Sequence, residues 1–160
     1  MKKVTFLILL IPIFLSLDIQ DVISREVPNE TEIKNEVFNN VSADYATCAA
    51  YFNLVGEDLR KNGDNEKAIS YENSRDISLN YAFIAAQEGR TDEMAKKVAI
   101  SKTELSMKSL MKEIDNDLGN ISILINHYDD NCKTIMESPE KTIEVWKERI
   151  SKKYNLDKLR

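Results

Sequence analysis

The chain has 160 residues and one histidine, His127, which opens the polar run His127-Tyr128-Asp129-Asp130. An imidazole beside a phenol and two carboxylates supplies the residue types of an acid–base or small-ligand pocket. A surface or half-buried histidine is the commoner state, and no second imidazole exists for a paired-metal site of the Glu-x-x-His kind. Glu113 and Asp117, four residues apart, would share one face of a helix, and such a pair is ordinarily a solvated face. Asp115-Asn116-Asp117-Leu118-Gly119 has the look of a calcium loop. Its glycine falls at the fifth position where the sixth is required, and Asn126 stands at the twelfth where a bidentate Glu is needed. No Gly-x-Ser-x-Gly elbow, Walker loop, Cys-x-x-Cys or His-Glu-x-x-His occurs. The reading is of a chain with no catalytic residue, no metal site and no cofactor, the alternative being an enzyme or small-ligand binder with its pocket near His127.

Cys48 and Cys132 are the other reactive side chains, and two cysteines allow one intramolecular pairing. Each lies on the apolar stripe of its own helix, so both should face the core. Export would place them where disulfides persist. Closing a loop of about 85 residues would restrict the unfolded chain by roughly 4.5 kcal/mol in the chain-entropy treatment. Two separate buried thiols, packing as small hydrophobes, are the alternative. Helix lengths weigh against the bridge: Cys132 falls about 45 Å along a helix begun at Ser101, and Cys48 no more than about 27 Å from its own start.

The elements that must position these groups are helical. Met107, Met111, Ile114, Leu118, Ile121, Ile125, Tyr128, Cys132 and Ile135 recur every three or four residues, which predicts one helix about 42 Å long that passes through Gly119. Val37, Val41, Tyr45, Cys48, Phe52, Val55 and Leu59 form its partner, flanked by the small Ala46, Ala49 and Ala50. Asn29 and Glu32 have capping-box spacing at its start, Ser42 offers a second start, and Gly63 suits the left-handed position after its end. A helix over 66–88 follows and stops at Gly89. Its second half is apolar nearly all round, which predicts burial on more than one side. Thr91 can cap the next helix, whose Met94 and Val98 lie opposite the Met107 stripe, so a kink or a new start is expected at Ser101-Lys102-Thr103-Glu104. Ser138-Pro139-Glu140 opens a last helix carrying Ile143, Trp146, Ile150 and Tyr154. The expected fold class is all-α, a small bundle of four to five antiparallel-leaning helices with an interhelical disulfide. Cys48, Phe52, Val55, Ile114, Leu118, Ile121, Ile125 and Trp146 are its expected core. Gly63 and Gly89 both open turn-and-helix segments resembling tetratricopeptide hairpins, but they lie 26 apart (89 minus 63) and lack that repeat's Trp-Leu-Gly-Tyr set.

Met1-Lys2-Lys3 followed by the apolar run Val4 to Leu17 has the layout of a signal peptide, or of an uncleaved anchor, since no small-x-small cleavage pattern follows. Its 14 residues would reach about 21 Å as a helix, short of a ~30 Å hydrocarbon core. The domain plan is therefore 1–17 signal peptide or anchor, 18–28 flexible leader and 29–160 a single helical domain. Formal net charge is −5, or −7 once Lys2 and Lys3 are removed (−5 minus 2), which disfavours nucleic acid and anionic lipid as partners. No stable membrane insertion is expected after signal removal.

Asp44-Tyr45-Ala46-Thr47-Cys48-Ala49-Ala50-Tyr51-Phe52, Glu113-Ile114-Asp115-Asn116-Asp117 and Asp130-Asn131-Cys132 resemble segments of a set of small exported all-helical bacterial proteins. The resemblance covers most of the mature chain. It implies the helical fold and the cysteine pair, and it carries no activity. The functional expectation is a periplasmic or extracellular, non-catalytic interaction module that binds another protein or a peptide in a groove between its helices.

Overall fold

The computed structural model describes residues 28–156, and the signal or anchor and most of the leader lie outside the described residues. Five α-helices follow in order: α1 (Glu30–Lys61), α2 (Asn65–Ala86), α3 (Asp92–Glu113), α4 (Ser122–Glu137) and α5 (Pro139–Lys153), with no strand among the described residues. The fold is an all-α bundle.

The first of the two possible starts for α1 is the one used. The Glu32 amide donates to Asn29 Oδ1 at 3.0 Å, and the Asn29 amide returns a bond to Glu32 Oε2 at 2.9 Å, closing the capping box. Ser42 lies inside the helix, fully buried. Ala46, Ala49 and Ala50 are buried too, and they let neighbouring backbones approach α1. Gly63, at φ +82°, ends the helix in the left-handed region.

Two expectations about the middle of the chain are corrected. α3 starts under a Thr91 cap and runs unbroken through Ser101 to Glu113, with no kink at Ser101-Glu104. The chain breaks later, inside the stripe predicted to be one helix from Met107 to Ile135. Asp115 and Asn116 take φ of 55° and 58°, and the Asn116 amide bonds back to the Met111 carbonyl at 2.7 Å. Asp and Asn are among the few non-glycine residues that tolerate the left-handed region, so the chain can stop here without glycine. Gly119 then sits in a single 3-10 turn over Leu118–Asn120. Restarting at Ser122 resets the helical phase. Leu124 is fully buried, whereas Ile125, expected in the core, is 37% exposed. Leu118 and Trp146 are half-buried, and Cys48, Phe52, Val55, Ile114 and Ile121 are buried as expected.

α2 also departs from its pattern. Its buried residues are small, Ala68, Ser78, Ala82, Ala85 and Ala86, while Ile77 and Ile84 are about half exposed, at 49% and 51%. The helix is covered on one side only.

α4 runs antiparallel to α1, and three contacts in equal steps tie the two. The Tyr45 hydroxyl donates to the Ile135 carbonyl at 3.1 Å, the Cys48 and Cys132 sulfurs are 2.10 Å apart, and the Tyr51 hydroxyl donates to Asp129 Oδ1 at 3.0 Å. Each step is three residues up α1 and three down α4. The disulfide therefore sits between two hydroxyl bonds, and the turn at Asp115–Asn116, not a kink near Ser101, brings the cysteines level. Pro139 has no amide hydrogen to continue α4, so the chain bends at Ser138 and α5 carries on down the side of α1. At its far end Tyr154 Oη and Lys153 Nζ both reach Glu36, at 2.8 Å and 2.6 Å.

Burial pushes the Tyr45 hydroxyl up to about 12 and raises that of Tyr51, with Asp129 adding to the latter. Both therefore hold their protons above the ordinary value of about 10. The stability they contribute is whole below about pH 10 and is lost as pH rises through about 12, because the unfolded chain releases those protons first. In a spectrophotometric titration of the six tyrosines, Tyr45 and Tyr51 will ionise last and together with unfolding. Six phenols ionising as one group while the helical signal persists would contradict this.

Candidate functional site

The four side chains of the His127 run do not share one site. His127 Nδ1 lies 2.5 Å from Glu113 Oε1, and the Tyr128 hydroxyl donates to Glu113 Oε2 at 3.0 Å. Glu113 is the last residue of α3, so these bonds hold the end of α3 to α4 across the turn. Asp129 points elsewhere, accepting from Tyr51 and, at 2.5 Å, from Lys133 Nζ. Asp130 is exposed. Glu113 and Asp117 share no helix face, because the break falls between them, and Asp117 Oδ1 instead accepts from the Gly119 amide at 2.9 Å. Among the described residues no group of three or more His, Cys, Asp or Glu side chains is placed to hold a metal ion.

Several concave features lie elsewhere, among them two that combine apolar walls with charged groups. The first is a cleft of about 350 Å³ between α1, α4 and α5, lined by Asp44, Asn131, Thr134, Lys141, Trp146 and Arg149 among others. Asp44 reaches it because it precedes the buried Tyr45 on α1, at the edge of the core-facing stripe. Trp146 Nε1 donates to Asp44 Oδ2 at 2.6 Å, and the Arg149 guanidinium lies 4.8 Å from the centre of the indole ring. Burial raises the Asp44 carboxyl above the usual carboxylate range; the indole bond and the charges of Arg149 and Lys102 pull it partly back. The second feature is a groove of about 500 Å³ between α2 and α3, with Leu79, Phe83, Ala99 and Ile100 on its walls and Asp76 and Lys96 at its rim. Neither feature is lined by His127, Tyr128, Asp129 or Asp130.

Of the residues singled out by sequence, Cys48 and Cys132 are brought together, His127 and Tyr128 meet on Glu113, and Asp129 and Asp130 lie apart from them. Asp44, Lys141 and Arg149 were not singled out. One local signal points to part of this cleft, the Trp146/Arg149 pair at three-residue spacing, which puts a cation and an aromatic ring side by side on a helix. In comparisons with known proteins the chain matches no family model, no curated protein and no solved structure.

Proposed function

We propose that this chain is an exported, non-catalytic binding module that takes the apolar face of another protein's helix or peptide segment into the α2–α3 groove. The observation that carries the reading is the apolar wall of this groove together with exposed isoleucines on the same two helices. Leu79, Phe83 and Ile100 line the groove, Ile100 at 41% exposure, and Ile69, Ile77 and Ile84 elsewhere on α2 are 53%, 49% and 51% exposed. Single exposed isoleucines are ordinary, but four on two adjacent helices, one of them in an apolar groove, are what a recognition surface would use. Asp76 and Lys96 at the rim offer one charge of each sign to fix a segment's direction. Export is supported by the Met1-Lys2-Lys3 start with its apolar run and by two cysteines at bonding distance. No helix among the described residues is long and apolar enough to cross a membrane.

A photo-crosslinking side chain at Ile77 in the producing cell tests both parts. The expected result is a discrete covalent adduct with another protein in the exported fraction, lost when Ile84→Asp is added. Ile84 is half exposed, so that variant should change folding stability by only about 0.5 kcal/mol. Recovery of the chain in the cytosol, or an adduct unaffected by Ile84→Asp, would overturn the reading.

A further inference from the structure

The α1–α4–α5 cleft is of a different kind from the apolar groove, because it gathers charges of both signs that the fold leaves without ion pairs. One oxygen of Asp44 accepts the indole hydrogen at 2.6 Å, and no ion pair neutralises the carboxylate among the described residues. Lys102 and Arg149 act on it through their charge without closing a contact pair, so its second oxygen is still open to a cation that does. Lys141 and Arg149, eight residues and about two turns apart on α5, line the same cleft, and neither closes an ion pair with a carboxylate among the described residues. The Arg149 guanidinium lies over the Trp146 ring, 4.8 Å from its centre, a contact that uses none of its N–H groups on a carboxylate. Thr134 and Asn131 add hydrogen-bonding groups from α4, and Ile135 and Val145 an apolar wall.

We propose that this cleft binds a small zwitterion, a free amino acid or a short unblocked peptide, with its ammonium on Asp44 and its carboxylate on Lys141 and Arg149. The volume agrees: about 350 Å³ lies at the lower end of small-ligand cavities and holds an amino acid or a dipeptide, not a cofactor. A simple anion would be repelled by Asp44 and a simple cation by the two basic groups, so the lining selects for a molecule carrying both. The Trp146 ring and Val145 favour an apolar side chain between the two charges. This proposal is independent of the apolar groove, which lies on the α2–α3 side of the bundle.

Trp146 is the only tryptophan, so its fluorescence reports on the cleft directly. Leucine and the dipeptide Leu-Gly are titrated into the folded chain beside N-acetyl-leucine, which lacks the ammonium, and leucinamide, which lacks the carboxylate. The expected result is a saturable change with leucine or Leu-Gly, whichever fits the cleft, and binding at least about tenfold weaker for both blocked analogues. The double variant Lys141→Gln, Arg149→Gln should weaken binding by a similar factor, moving the midpoint of the titration. Because both residues are exposed, its helical content should be unchanged. Asp44→Asn should abolish the preference for leucine over N-acetyl-leucine. Absence of a saturable change with both leucine and Leu-Gly at millimolar concentration would overturn the proposal. Equal binding of the blocked and unblocked forms, or an unshifted midpoint in the Gln double variant, would do the same. Ile84→Asp, which tests the groove, should leave this titration unaltered, so the two readings fail separately.

Discussion

Removing the bond between Cys48 and Cys132 will lower the stability of the domain by about 4.5 kcal/mol. The two residues are 84 apart in sequence, and releasing a loop of that length returns that much conformational freedom to the unfolded chain. Most single domains have only about 5–15 kcal/mol in hand, so the loss should move the denaturation midpoint a long way. Both cysteines are buried, at 1% and 0% exposure, and a reductant will act on the folded chain only as fast as the chain opens. The double variant Cys48→Ala, Cys132→Ala avoids that delay. Its urea midpoint, set beside that of the oxidised parent, gives the difference directly. Thiol counting on denatured, unreduced protein should find none. Two titratable thiols per chain, or a difference under about 1 kcal/mol, would mean that the sulfurs are no more than part of a hydrophobic seam.

The second large effect falls on adjacent residues. Leu124→Ala should cost about 3 kcal/mol, and Ile125→Ala less than about 1 kcal/mol. Leu124 has no exposed surface, and its truncation leaves a hole beside α1; Ile125 keeps 37% of its surface in solvent. Had the helix run on from Met107 through Gly119, the order would be reversed, since Ile125 lies on that stripe. Chemical denaturation of the two variants thus reads out the phase of α4. A larger loss at Ile125 than at Leu124 would restore the single long helix.

Where the sequence was legible, the interaction is local. Asn29 with Glu32, Gly63 after α1, Thr91 before α3 and Pro139 at the head of α5 each act within one turn, so residue type and spacing decide the outcome. The break at Asp115–Asn116 was not legible, because apolar residues continue at three- and four-residue spacing on both sides of it. Gly119 drew attention as the weak point, while the residues that turn the backbone are an Asp and an Asn. The one-sided burial of α2 was hidden for another reason. Alanine and isoleucine both count as apolar in a periodic pattern, but close packing against α1 selects the small ones and leaves Ile77 and Ile84 outside. The α1–α4–α5 cleft draws Asp44 and Arg149 from positions about a hundred residues apart, and no spacing rule reaches that far. The cysteines were legible because their chemistry, unlike that of a carboxylate, leaves few partners to choose from.

The sulfur bridge also has a consequence for the covalent shape of the molecule. Residues 48 to 132 form a closed ring that contains the whole of α2 and α3 and the exposed turn at Asp115–Asp117. Exposed turns are where proteases cut. A single cut in this ring does not divide the protein in two: both pieces stay joined through sulfur, and the tyrosine bonds on either side of the bridge hold α4 in place against α1. A cut before Cys48 or after Cys132 releases a fragment outright. Resistance to a protease would thus depend on the end of α4, on α5 and on the stretch of α1 before Cys48, the described parts of the chain that lie outside the ring.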